Sequence, residues 1–407
     1  MSAKKAGPSR AVPQFLRTLA CCLLLTPALL SAAAKPTDDY RDEAREMERL
    51  AEQVVQSGRL PGLAMAIVER GEVLSLRGYG VVDSKGSDPV GPDTVFRLAS
   101  LSKAFAGTLA AMLVQEGAMS WEQPITNQLP GFRLQDMDGA QRVTLRDILS
   151  HRIGIGYNFG DRLLEADEPY PLLAEKLGDA PMYCAPGDCY AYQNIAFSLV
   201  GDLVFAATGD FYAHQVEKRI FHPLGMFNAT YGREGLEASA SWARPHVRSG
   251  GRWISVRPKE TYYRVPPAAG VNASIRDMAT WLIAQMGHRP EVLPESILET
   301  VQSPQVETPG ELTSSPWRRE RLQAAHYGLG WRIFDYAGHT LVYHAGAVQG
   351  YRGMIAFLPE RQVGIVILWN SESAVPSGLM PTAMDKALGL PARDWVTTPA
   401  PQPRRRR

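Results

Sequence analysis

Runs patterned as buried strands stand at both ends of this chain, and a long stretch of helical pattern separates them. At the front, Leu63-Ala64-Met65-Ala66-Ile67-Val68 is an unbroken apolar run. Glu69-Arg70-Gly71-Glu72 reads as a turn and Val73–Tyr79 as a second strand. Gly78-Tyr79-Gly80 is a lone G-x-G with no helical pattern after it, so it reads as the end of that strand. Late strands are expected over Tyr327–Phe334, Thr340–His344, Tyr351–Leu358 and Val363–Asn370. Between the two groups lie helical patterns such as Leu145–Leu149 and Ile195–Thr208, while Trp242–Pro267 is polar and aromatic without a clear period. Amphipathic helices are expected over Asp38–Gly58 and over Ser274–Met286, with Ser274 and Asp277 as a capping pair, and a final helix over about Ser377–Leu388. Strands thus flank a long helical insert, and the simplest architecture joins both ends in one sheet. The expected fold is therefore α/β (α+β): an antiparallel sheet from both chain ends, flanked by helices, with an all-helical domain inserted at about 101–265.

With 407 residues, 45% of them hydrophobic, the chain has material for an ample core. Its formal net charge of +1 gives no electrostatic case for nucleic acid. Residues 1–34 read as an export signal: Lys4, Lys5, Arg10 and Arg17 precede an apolar Leu19–Leu30 and then Ser31-Ala32-Ala33-Ala34. The apolar run is short for a membrane span and Pro27 interrupts it, so no stable span is expected after its removal, and the location is periplasmic or secreted. Cys21 and Cys22 would leave with the signal. Cys184 and Cys189 remain, separated by a segment with Pro186-Gly187. They are either a disulfide permitted by an oxidising compartment or two thiols. The main domain is expected over 35–395. Residues 396–407, Pro-rich and ending in Arg404–Arg407, are expected to be a disordered basic tail.

Ser100-Leu101-Ser102-Lys103 opens a predicted helix, Ser102–Glu116, directly after the apolar Val95-Phe96-Arg97-Leu98-Ala99. One helical turn puts Ser100 and Lys103 on the same side of the backbone. A serine hydroxyl is a poor nucleophile until a neighbour takes its proton, and a desolvated lysine is such a neighbour. The tetrad is weak alone, since Ser2-Ala3-Lys4-Lys5 repeats it in the leader. Two further groups follow in order: Tyr192-Gln193-Asn194, just before a helical pattern, and His344-Ala345-Gly346, ahead of Gly350-Tyr351-Arg352. G-x-x-x-x-G-K-[ST], H-E-x-x-H and G-x-S-x-G are absent and the eight histidines are scattered, so no cofactor or metal is expected.

In this order the three groups resemble the serine β-lactamase and DD-peptidase superfamily, in particular its class C β-lactamase-like branch, with S-x-x-K, Y-x-N and a K-T-G or H-x-G triplet. Further landmarks of that family are Leu60-Pro61-Gly62-Leu63-Ala64, Thr94-Val95-Phe96-Arg97, Leu149-Ser150-His151, Pro223-Leu224-Gly225-Met226, Ala269-Gly270-Val271 and Phe357-Leu358-Pro359-Glu360. The resemblance implies that Ser100 is acylated, that Lys103 holds its hydroxyl, and that Tyr192 shuttles the proton. It implies that Asn194 binds the substrate amide and Lys103, and that the backbone N–H groups of Ser100 and Ala347 form the oxyanion hole. Lys103 and Tyr192 both remain candidates for the base. Asn194 as a plain helix cap and His344 as a core histidine are the structural alternatives, and His151 reads as a structural hydrogen-bonder.

Two departures matter. The third triplet begins with His344 where class C β-lactamases carry lysine, so the substrate carboxylate falls to a protonated His344 or to Arg352, if that strand residue points at the site. Gln193 stands where a smaller residue is usual. The expectation is an exported serine hydrolase acting on a small molecule through an acyl-enzyme, first of all a β-lactamase. The alternatives are a D-alanyl-D-alanine carboxypeptidase-type peptidase, a small-ester esterase, and a penicillin-binding sensor that is acylated without turnover.

Overall fold

A computed structural model of the chain describes residues 39–397. The expected export signal and nearly all of the expected basic tail lie outside the described residues. Eight antiparallel strands form the main sheet: β1 Gly62–Glu69, β2 Glu72–Gly80, β3 Val306–Glu307, β4 Leu322–Tyr327, β5 Arg332–Tyr336, β6 His339–Val348, β7 Tyr351–Leu358 and β8 Val363–Trp369. Their order is β2-β1-β8-β7-β6-β5-β4-β3, so the two chain ends meet where Leu63 pairs Trp369 and Val68 pairs Gly364.

The apolar run of β1 is unbroken because both of its faces are covered. Leu63, Met65 and Ile67 pack on one side with Met47, Ala51 and Val54 of helix α1 (Arg41–Gln56) and with Leu379, Ala383 and Met384 near the C-terminus. Ala64, Ala66 and Val68 face the helical half of the molecule. Helix α2 (Ser102–Gln115) is buried on nearly every side, the signature of a core helix rather than a surface one. Its Phe105 stacks on Trp281 of helix α3 (Ile275–Gln285) with ring centroids 4.1 Å apart. The Ser274–Asp277 capping box that starts α3 is present.

The late strands depart from the sequence reading. The single strand expected over Tyr327–Phe334 is two strands, β4 and β5, joined through Gly328–Trp331. Gly330 has φ +86°, and a Cβ there would meet the Lys103 carbonyl at 2.2 Å. A Cβ on Gly107 would meet the Leu329 carbonyl at 1.9 Å. This turn therefore lies backbone to backbone on α2, at the helical turn that carries Lys103. The unassigned Trp242–Pro267 stretch holds a hairpin, His246–Ser249 with Arg252–Ser255, turning at Gly250-Gly251. Helices recur from residue 102 to 238 and again at Pro266–Ala269, so the helical stretch runs slightly past its expected end. Val396, assigned to the tail, is buried with Trp395 against the α1 side of the sheet. No single helix among the described residues is long and apolar enough to cross a membrane.

Candidate active site

Ser100 sits in a tight turn, Ala99–Leu101, immediately before α2. Ala99 has φ +51°, an uncommon conformation for a side-chain-bearing residue that the surroundings must enforce. They do so through Leu98 N–H donating to Val271 O (2.9 Å), and through Ser102 Oγ, which donates to Ala99 O (2.6 Å) and accepts from Val271 N–H (3.0 Å). The turn leaves Ser100 partly exposed while Ala99, Leu101, Ser102 and Lys103 are buried.

Lys103 Nζ lies within hydrogen-bond distance of Asn194 Oδ1 (2.7 Å), Ala268 O (3.1 Å) and Ser100 Oγ (3.4 Å). Burial pushes its ammonium well below the usual lysine range; the Asp161 carboxylate opposes that and Arg332 adds to it. The Tyr192 ring lies 4.6 Å from Lys103 Nζ, and its hydroxyl stands beside Ser100. Burial pushes the Tyr192 phenol up, with Ser100 and Arg332 pulling the other way. In the free protein, then, Tyr192 holds its proton, and Lys103 is the neighbour of Ser100 best prepared to lose one.

Asn194 does not cap the helix that follows it, Ile195–Thr208. Its amide spans two groups instead, accepting from Lys103 and donating through Nδ2 to Asp161 Oδ2 at 2.8 Å. His151 (φ +61°) accepts the Gln193 N–H at Nδ1 (3.1 Å) and packs on Tyr192 with centroids 4.4 Å apart, which fixes the Tyr192–Asn194 segment. Gln193 points away, its side-chain amide donating to Gly156 O. Cys184 and Cys189 form a disulfide, and their loop docks through Gly187 N–H to Arg152 O (2.7 Å) just ahead of Tyr190.

Strand β6 supplies the third group. It pairs with β5 only as far as Tyr343, so one edge of His344–Val348, Ala347 included, is left without a sheet partner. A Cβ on Gly346 would stand 3.2 Å from the Ser100 nitrogen, which places this strand directly against the nucleophile's turn. His344 is buried and neutral. Its Nδ1 donates to Ala345 O (2.9 Å), its Nε2 accepts from the Tyr327 hydroxyl (3.1 Å), and burial holds its pKa well below the usual histidine range, helped by Arg332 and Lys103. Both ring nitrogens are thus engaged within the protein, and the expected cationic carboxylate ligand is not formed there. Arg352 is corrected as well. It pairs with Ala347, and that pair shares a face with Ala345 and Met354, opposite to His344 and Ile355. Its guanidinium donates to Val348 O (2.5 Å) and Tyr351 O (2.8 Å).

Sequence reasoning missed Asp161 and Arg332. Arg332 lies 5.6 Å from the centroids of both Tyr192 and Tyr327 and pairs with Glu311 at 2.6 Å. Neither sits in a motif, and only the fold brings them to Lys103. Among the described residues no group of three or more His, Cys, Asp or Glu side chains could hold a metal ion.

The Beta-lactamase family model matches residues 47–388. Unguisins hydrolase ungD of Aspergillus violaceofuscus is 26% identical over 388 residues, covering 88% of this chain and 67% of that protein. Protein flp of Staphylococcus aureus strain MW2 is 23% identical over 334 residues, covering 82% and 64%. The chain thus spans about two thirds of the length of these relatives. The octameric penicillin-binding protein homologue from Pyrococcus abyssi superposes with a TM-score of 0.76 at 22% identity, covering 86% of this chain and 78% of that one. The D-amino acid amidase from Ochrobactrum anthropi SV3 does so at 0.66 and 22%, covering 85% and 97%. With the match running over most of its length, the chain belongs to the beta-lactamase family, whose fold and serine-hydrolase character it shares.

Proposed function

We propose that the protein hydrolyses amides through an acyl-enzyme on Ser100. The observation that supports this most is Lys103 Nζ, desolvated and within 3.4 Å of a partly exposed Ser100 Oγ. Ser100 Oγ attacks the substrate carbonyl as its proton passes to Lys103 in its neutral amine form, which burial favours. The backbone N–H groups of Ser100 and Ala347 receive the developing oxyanion. Tyr192 then gives its proton to the leaving nitrogen, the C–N bond breaks, and Lys103 returns a proton to the phenolate. Water attacks the ester by the same route reversed, releasing the acid and Ser100.

On substrate, the neutral His344 and the averted Arg352 favour acyl groups that need no carboxylate anchor. Amino acid amides and peptides therefore stand ahead of β-lactams, and small esters are the second reading on the same observation. The leader-like composition of residues 1–34 and the Cys184–Cys189 bond support work outside the cytoplasm. Intact mass followed in time after mixing with an amino acid amide, a penicillin and a small ester tests the proposal. A Ser100 adduct that forms and clears with the amide upholds it. Rapid clearance with the penicillin alone makes the protein a β-lactamase, and a penicilloyl adduct lasting hours makes it a sensor.

A further inference from the structure

Taking Ser100 as the nucleophile, we propose that Asp161 is a positioning residue that fixes the direction of the Asn194 amide and supplies the counter-charge of Lys103. An asparagine amide presents an acceptor on one side and a donor on the other, and the two are nearly the same size. An ionised carboxylate can only accept. With Asp161 Oδ2 2.8 Å from Asn194 Nδ2, the amide nitrogen must face Asp161, and the oxygen must face Lys103 at 2.7 Å. The reversed amide would turn its N–H groups on the ammonium and free Lys103 from its register beside Ser100.

The charges around Lys103 leave Asp161 as its counter-ion. His151 and His344 are held neutral by burial, and Arg332 is a cation already paired with Glu311 at 2.6 Å. Asp161 is the carboxylate whose charge favours the Lys103 cation. It is buried, and its Oδ2 accepts from the Tyr262 hydroxyl at 3.3 Å; that hydroxyl also reaches Glu165 at 3.0 Å. Oδ1 is buried with no hydrogen-bond partner, an arrangement that packing alone would not favour. Burial pushes Asp161 up to about 6, against the pull of Asn194, Lys103 and Tyr262, so it is ionised at neutral pH.

The test compares D161N, which keeps an acceptor for Asn194 Nδ2 and removes the charge, with D161A, which removes both. The readout is the acylation rate on an uncharged amide or ester from pH 5 to 10, with kcat and KM separated and S100A alongside. Removing the negative charge disfavours the Lys103 cation, so in D161N the limb of the profile set by Lys103 moves to lower pH by about one unit or more. D161A loses at least about tenfold more kcat than D161N, with KM little changed. A D161N profile that superimposes on the wild type, or equal kcat losses in both variants, overturns the proposal. If D161A does not fold, the D161N shift decides alone. Activity retained by S100A sinks the proposed function itself; an inert S100A with an unshifted D161N sinks only this inference.

Discussion

Gly346 and Leu98 touch backbone to backbone: a Cβ on Gly346 would stand 2.2 Å from the Leu98 carbonyl oxygen. That contact seats strand β6 on the turn that carries Ser100. The expected result for Gly346→Ala is a strand pushed off the turn, with kcat down at least about tenfold and stability down by about 1–3 kcal/mol. Gly310→Ala is the control, since it meets nothing within 4 Å. Equal activity of the two variants would show that the seating is dispensable.

Tyr192→Phe keeps the ring that Lys103 and His151 pack against and removes the hydroxyl beside Ser100. Turnover is expected to fall by about a hundredfold or more while the fold stays intact. Unchanged turnover would move the whole proton traffic to Lys103.

His344 and His151 are buried with their pKa values held well below the ordinary histidine range. Above the unfolded value of about 6.5 they cost nothing. As pH falls below it, the unfolded chain takes up protons that the folded one refuses, so folding stability is lost toward the depressed folded values. Thermal melts of wild type and His344→Gln between pH 8 and 5 should diverge, with the variant losing less on acidification. Parallel curves would mean that His344 titrates in the fold as it does in the unfolded chain.

Arg352→Ala is expected to leave kcat/KM unchanged for substrates with and without a carboxylate, because Arg352 shares the Ala345 and Met354 face. A selective loss of at least about fivefold on carboxylate substrates would return it to the site.

Asp161 has the opposite linkage to the histidines. Its pKa, raised from 3.8 to about 6, means that its contribution to stability is present at low pH and lost as pH rises through about 6. At pH 8 Asp161→Asn should therefore melt higher than wild type, by up to about 3 kcal/mol, with no advantage near pH 4. A variant less stable than wild type at pH 8 would mean that the ionised carboxylate is well satisfied by its neighbours.

The strands at both ends were legible because burial on both faces writes unbroken apolar runs, as in Leu63–Val68 and Val363–Trp369. The α3 start was legible because a capping box is local. The β4–β5 break was not, since Gly328 and Gly330 read as strand residues until the Val301–Ser303 backbone is placed against the first and α2 against the second. The Gly250-Gly251 hairpin had its turn residues in view, but its flanking strands are largely unburied and carry no clean alternation of apolar and polar residues.

The order and spacing of Ser100, Lys103, Tyr192 and Asn194 follow from the sequence, because each belongs to a short motif tied to a helix start. The charge state and direction of the groups around them do not. Which face Arg352 takes depends on register with Ala347, and whether His344 is charged depends on its burial and on the cations Arg332 and Lys103 near it. Asp161 reaches Asn194 across 33 positions of chain. Electrostatics in a buried site is set by distance through space and by loss of water, and neither is written in the order of residues.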